Sequence, residues 1–133
     1  MNIYLAGRFS TGHRLRVIRR QLEDLGHVVT STWLDESSSL SFEKLTDDER
    51  RRFAARDLVD VRRSQILALD LLLPPSRGGC EVEFGFALSS PRYKTTYIVG
   101  APRNIFHFLA AKTFGTWEEL ICHVKKQTLQ RQQ

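Results

Sequence analysis

The sequence has 133 residues, 20 Lys+Arg against 15 Asp+Glu for a net charge of +5, and 41% hydrophobic residues. That length allows one domain with one core, the apolar content excludes a disordered chain, and no run approaches the ~20 apolar residues of a membrane span. Two cysteines, Cys80 and Cys122, exclude a disulfide framework, and no Cys/His spacing suggests zinc. The apolar start is too short for the core of a signal peptide, so a reduced, cytoplasmic protein is expected.

The elements follow in chain order. Residues 2–6 are apolar and end at Gly7, a first strand. Leu15, Ile18, Leu22 and Leu25 recur at helical spacing, with Gly26 as the stop. Residues 27–34 are rich in β-branched side chains and predict a second strand, followed by the polar loop DESSSLS. Thr46 and Glu49 form a capping box that opens a helix over 46–64, with Phe53, Ala54, Leu58 and Val61 as its apolar stripe. Residues 66–73 are almost continuously apolar, the pattern of a strand covered on both faces. The turn-rich segment 74–79 leads into a mostly buried helix over 80–90, and residues 95–100 make a fourth strand. A short helix near 104–111 and an edge strand around 112–114 follow. A last helix is capped by Thr116 with Glu119 and packs on Trp117, Leu120, Ile121 and Val124. Residues 1–123 thus form the α/β domain, and 124–133 a basic, Gln-rich helix end or tail that carries Lys125, Lys126 and Arg131 without an acid.

Alternating strands and helices imply a parallel sheet with helices on both faces, a flavodoxin-like three-layer sandwich of strand order 2-1-3-4-5. Ligands of such sheets bind beyond the carboxyl ends of the strands, where the strand order reverses. Here that crevice is bordered by two loops, 7–12 and 74–79. The first, Gly7 to Gly12, offers amides, Ser10, Thr11 and Arg8 to an anion; it is neither a Walker motif nor a dinucleotide fingerprint, and an ordinary turn would look the same. In the second, Gly79 opens the helix that carries Glu83. This carboxylate stands among Val82, Phe84, Phe86, Ala87 and Leu88, where burial costs several kcal/mol unless the group is paired or used. Its place in the first turn favours ionisation through the helix dipole, and Gly85 within the helix suggests a close approach. A solvent-facing Glu is the plainer alternative. Asp57 falls on the buried stripe of its helix, where an ion pair with Arg62 or a neighbouring Arg would serve equally; Asp60, one step off, reads as solvated. Tyr4 lies near the end of the first strand, where a core tyrosine would also fit. Glu81 points to another side of the helix than Glu83 and reads as the wetter of the two.

Together these pieces resemble the nucleoside 2-deoxyribosyltransferase family, including its 2′-deoxynucleoside 5′-phosphate N-hydrolase branch. The likeness spans residues 2–100 and rests on Ile3-Tyr4-Leu5-Ala6-Gly7, Arg56-Asp57-Leu58, the strand Ile66–Leu73, and Gly79-x-x-x-Glu83-Phe84-Gly85-Phe86-Ala87. It implies that Glu83 is the nucleophile at C1′ of the deoxyribose, that Asp57 positions substrate and that Tyr4 orients the nucleophile. It also implies a homo-oligomer, a dimer or higher, with Asn104 the match to a residue lent across a subunit interface. The family's transferases carry an Asp where this chain has Arg77, and a small residue where it has Glu81. Arg77 and Ser76, with Arg8 and the hydroxyls of the first loop, favour an anionic substrate.

The expected activity is cleavage of the N-glycosidic bond of a 2′-deoxynucleoside 5′-monophosphate, with water or another base as acceptor. Gly7, Arg8, Phe9, Ser10, Thr11, Ser76, Arg77, Gly79 and Asn104 are the expected substrate contacts. No cofactor and no metal is expected. A transferase acting on neutral nucleosides and a non-catalytic nucleotide-binding module are the rival readings. A nucleic-acid partner is disfavoured, since Asp47, Asp48 and Glu49 precede the arginine-rich stretch 50–63 and three positive charges of the total lie in the tail.

Overall fold

Strands and helices alternate along the chain as β1 (Asn2–Ala6), α1 (Gly12–Asp24), β2 (Val28–Val29), α2 (Asp47–Arg62), β3 (Ile66–Leu71), α3 (Gly79–Leu88), β4 (Thr95–Gly100), β5 (Lys112–Phe114) and α4 (Trp117–Arg131). The computed structural model describes residues 1–36, 42–74, 78–90 and 94–132. Ser76 and Arg77 therefore lie outside the described residues.

All five strands pair in parallel in the order β2-β1-β3-β4-β5, as the alternation predicts. Tyr4 stands opposite Leu67 and Leu69 opposite Ile98, so the central strand β3 is apolar except for Asp70. The chain moves one way from β1 to β2 and the other way from β3 onward. Right-handed crossovers then place α1 against α4 on one face and α2 against α3 on the other. Tyr4, Leu5, Leu67, Leu69, Leu71 and Ile98 are fully buried between these layers. No described helix is long and apolar enough to cross a membrane.

Four sequence expectations change. The second strand shrinks to Val28–Val29, and Thr32–Asp35 forms a 3-10 turn instead. The cause lies in side chains that take over the ladder: Leu5 N–H donates to Ser31 Oγ at 2.6 Å, and Trp33 Nε1 donates to the Leu5 carbonyl at 2.9 Å. With the backbone of β1 satisfied in this way, the edge strand has nothing left to pair with. Ala54 is exposed rather than part of the buried stripe of α2. Asp60, expected in solvent, is 3% exposed and accepts from Thr32 N–H and Oγ1. Gly85 faces open space, with nothing within 4 Å of an added Cβ, so no close approach explains it.

One buried carboxylate joins the layers. Asp70, near the end of β3, accepts from Arg14 Nε at 3.2 Å and Nη2 at 3.1 Å, from Trp117 Nε1 at 2.9 Å and from Leu72 N–H at 3.0 Å. It thereby pins α1 and the start of α4 to the carboxyl end of the sheet. Removing it strands a buried indole N–H and uncouples Arg14, whose side chain is still partly in water. Asp70→Ala is expected to cost about 3 kcal/mol in denaturant unfolding, and Asp70→Asn clearly less because it keeps an acceptor for Trp117.

Candidate active site

A cavity of about 230 Å3 opens between the ends of β1 and β3, where the strand order reverses. Its lining falls into three groups: the loop Gly7–Phe9, the side chains Trp33, Glu36, Phe53, Arg56 and Asp57, and the start of α3 with Gly78, Gly79, Cys80 and Glu83. Two glycines shape the rim. A Cβ on Gly7 would lie 3.0 Å from Thr11 Oγ1 and 3.3 Å from Asp70 Cβ, so any side chain there would press Thr11 and Asp70 back by a few tenths of an ångström. Gly78 caps α3 in the left-handed region, with φ of 81°, and brings the first amides of the helix to the cavity.

Glu83 is half-buried, but its Oε2 is buried and makes no hydrogen bond. The hydroxyl of Tyr4, 0% exposed, is equally without a partner of good geometry. The two groups are neighbours, close enough for each to shift the other's titration. Burial pushes the Glu83 carboxyl up to about 8; the Tyr4 hydroxyl pulls it down and the charge of Asp57 lifts it again. Glu83 also stands beyond the first turn of α3, whose acid is Glu81, so the placement that the sequence suggests beside the amino end of the helix belongs to its neighbour. Tyr4 is held strongly neutral, first by burial and then by the charges of Glu83 and Asp57.

Asp57 is partly buried and its pKa rises, chiefly through burial, with Arg56 opposing. Arg56 donates to Asp57 Oδ1 from Nη2 at 3.0 Å and also binds Glu36, while its guanidinium lies 4.8 Å from the Phe53 ring centre. The pairing is thus with the adjacent arginine rather than Arg62. Arg8 carries a buried Nε without a partner. Burial pushes the Cys80 thiol up to about 11, with Glu81 and Glu83 adding to the shift. Trp33, fixed by its bond to Leu5, faces Phe9 at a ring separation of 6.2 Å, so flat apolar surfaces border the charged groups.

The structure brings together Tyr4, Gly7, Arg8, Phe9, Asp57, Gly79 and Glu83 among the residues singled out from the sequence. Ser10 is exposed and lines a smaller neighbouring cavity of about 110 Å3. Thr11 is buried and spends its hydroxyl on the Arg8 carbonyl at 2.7 Å, while Thr11 N–H and Gly12 N–H bond the carbonyls of Arg8 and Phe9. The first loop therefore offers an anion Arg8 rather than these amides. Asn104 lies away from the cavity lining. It caps the 3-10 turn Ile105–Leu109 and donates to Glu81 Oε2 at 3.3 Å, beside the buried His107 that Glu81 also binds. Glu81 is thus tied down rather than solvated. Trp33, Glu36, Phe53, Arg56, Gly78 and Cys80 complete the lining without having been singled out as site residues. Arg56 had a signal in its adjacency to Asp57, whereas Trp33 and Phe53 are indistinguishable from core aromatics in sequence.

Compared with known proteins, the sequence matches no protein-family model and has no significant match to a curated protein. Solved structures are similar in fold. A 2-deoxyribosyltransferase from the psychrotolerant bacterium Bacillus psychrosaccharolyticus superposes with a TM-score of 0.69 at 20% identity, over 91% of this chain and 90% of that one. This chain has the fold of a 2-deoxyribosyltransferase. A CMP N-glycosidase from Clostridium botulinum matches with a TM-score of 0.60 at 14% identity, over 93% of this chain and 98% of that one. A conserved protein from Enterococcus faecalis V583 matches with a TM-score of 0.67 at 14% identity, over 96% and 98% of the two chains. The deoxyribosyltransferase fold agrees with the family resemblance of the sequence.

The carboxyl of Glu83 links this site to stability. Its folded pKa of about 8 lies above the ordinary 4.5, so between those values the folded chain keeps a proton that the unfolded chain has lost. Stability therefore falls as pH rises through that window. Glu83→Gln keeps the shape and removes the ionisation. At pH 9 it is expected to raise Tm by about 4 °C or more, the shift that 1 kcal/mol produces in a domain of this size, and at pH 5 by much less.

Proposed function

We propose that this protein cleaves the N-glycosidic bond of a 2′-deoxynucleoside 5′-monophosphate, with Glu83 as the nucleophile. The observation that carries this reading is the buried, unpartnered Oε2 of Glu83 in the wall of the cavity. Among the described residues this carboxyl forms no ion pair, and the neutral hydroxyl of Tyr4 is the donor beside it, whereas a buried structural carboxylate is ordinarily paired. The deoxyribosyltransferase and N-glycosidase of the same fold support the reaction class.

The ionised Glu83 attacks C1′ of the sugar. The C–N bond breaks, and its electron pair leaves with the base, which takes a proton from solvent water as it departs; the proton is returned to solvent when water later attacks C1′. Positive character at C1′ in the transition state is stabilised by the adjacent carboxylate, and a glycosyl ester on Glu83 results. Water or a second base then attacks C1′ and frees the carboxylate, with retention of configuration overall. Tyr4, held neutral, keeps a hydroxyl proton to donate to the Glu83 carboxylate and so aims the attacking oxygen. Asp57 positions the sugar, its own orientation set by Arg56.

The substrate's two ends have matching surfaces. Trp33, Phe9 and Phe53 offer apolar faces to a base, and the phosphate has Arg8 together with the amino end of α3 at Gly78 and Gly79. Ser76 and Arg77, just before that helix, are proposed as further phosphate contacts, and Asn104 as a contribution to the site of a second copy. Glu36 and Arg56 border the cavity where a base edge would lie and are the groups able to discriminate among bases.

Incubation with each deoxynucleoside 5′-monophosphate, each deoxynucleoside and CMP, followed by analysis for free base, tests the reading. Release from the deoxynucleotides, faster than from the neutral deoxynucleosides and from CMP, is expected. No release from any of them at high enzyme concentration would end the proposal. Glu83→Gln should lose about a thousandfold or more in kcat while still binding substrate. Because the reactive form of Glu83 is the ionised one, kcat/KM should rise about tenfold per pH unit up to a plateau above about 8. A profile flat from pH 5 to 9 would remove Glu83 from the nucleophile's role.

A further inference from the structure

A second cavity lies at the opposite end of the sheet, where β3, β4 and β5 begin and α4 crosses them. It holds about 490 Å3, and its walls include Lys94, Tyr97, Lys112, His123, Gln127 and Arg131. No Asp or Glu lines it among the described residues. The cavity therefore gathers cations from three places, Lys94 just before β4, Lys112 at the start of β5 and Arg131 on α4, with the imidazole of His123 on the same stripe of α4.

These bases differ from five of the twelve other described arginines. Arg14, Arg19, Arg50, Arg51 and Arg56 each pair with a carboxylate. Lys94, Lys112 and Arg131 pair with none among the described residues. Lys94 Nζ donates to the carbonyls of Arg62 and Ser64, which uses two of its three donors and leaves one. Burial and the nearby Arg62 charge lower its pKa, the mark of a cation without an anion beside it. His123 packs edge-on against Tyr97 at 5.6 Å and tilted against Phe114 at 5.4 Å, and its pKa is lowered by burial and by Lys112 and Lys126. Tyr97 is 3% exposed, with its hydroxyl 3.4 Å from Gln127 Oε1, so rigid packing backs the cationic groups.

We propose that this cavity is a second ligand site, which takes a compact anion bearing two or more phosphate groups. Its size is that of a small-molecule pocket, and its charges converge on a concavity. A nucleic acid would instead call for a basic stripe running across the surface. The proposal is independent of the glycosidic chemistry, since β4 separates this cavity from the carboxyl end of the sheet by about 17 Å of extended chain.

Inorganic triphosphate is the probe, and the ring resonances of His123 in the full-length protein are the readout. Binding should raise the His123 pKa by about 0.5 unit or more beyond the effect of sodium chloride at equal ionic strength. Lys112→Gln with Arg131→Gln removes two exposed side chains without touching the core and should weaken binding about tenfold or more. Arg8→Gln, in the other cavity, should leave the His123 response unchanged. The inference is overturned by a His123 pKa that follows ionic strength alone, or by a response that Arg8→Gln abolishes and the double substitution spares. It is overturned equally if a single-stranded oligonucleotide moves His123 at lower phosphate concentration than triphosphate does, because the surface would then be one for a polymer.

Discussion

The carboxylate of Asp70 is the constraint on which the upper end of the molecule depends. It stands in β3 among leucines, wholly enclosed, and its two oxygens are shared among a guanidinium, an indole and a backbone amide. Those donors come from α1, α4 and the turn after β3. The same residue supplies the surface over which Gly7 passes, so the path of the first loop, and with it the location of Arg8, is set from below. A buried charge of this kind adds little net stability against an apolar substitute, yet it fixes one arrangement of helices at the end of the sheet that bears the cavity.

Around that frame the cavity holds more acid than the chain's overall charge suggests. Glu36, Asp57 and Glu83 line it, while Arg8 and Arg56 are the two described bases, and Arg56 is already bound to two of the carboxylates. Glu83 has no cation of its own there, and burial first, with the charge of Asp57 behind it, raises its pKa. An incoming group that is cationic only in the transition state, such as a sugar losing its base, would reverse that preference at the moment of reaction.

Much of the fold could be read in the sequence because it is written in local patterns. Alternation of β-branched runs and 3.6-residue periodicities gave the sheet order, and Thr46 and Thr116 cap two helix starts as expected, with a full capping box at Thr46 and with the Glu119 carboxylate accepting from Gly115 N–H at the other. Glu83 was visible as a charge where apolar residues surround it. What stayed hidden depends on partners far along the chain. Asp70 reads as one polar residue in an apolar strand, and its partners Arg14 and Trp117 are 56 and 47 positions away. The brevity of β2 follows from Ser31 and Trp33 reaching across to Leu5, a substitution of side chain for backbone that no propensity records. Asp60 was misplaced for the same reason: its partner, Thr32, belongs to that same irregular segment.

Cys80 gives the cavity a further property. With a thiol held near 11 beside a carboxyl near 8, the two acids lose their protons in a fixed sequence, the carboxyl first. Each negative charge opposes the other, so across the neutral range this part of the wall holds one anion at most. The sulfur is correspondingly a poor target for alkylating and oxidising reagents, which react with thiolates.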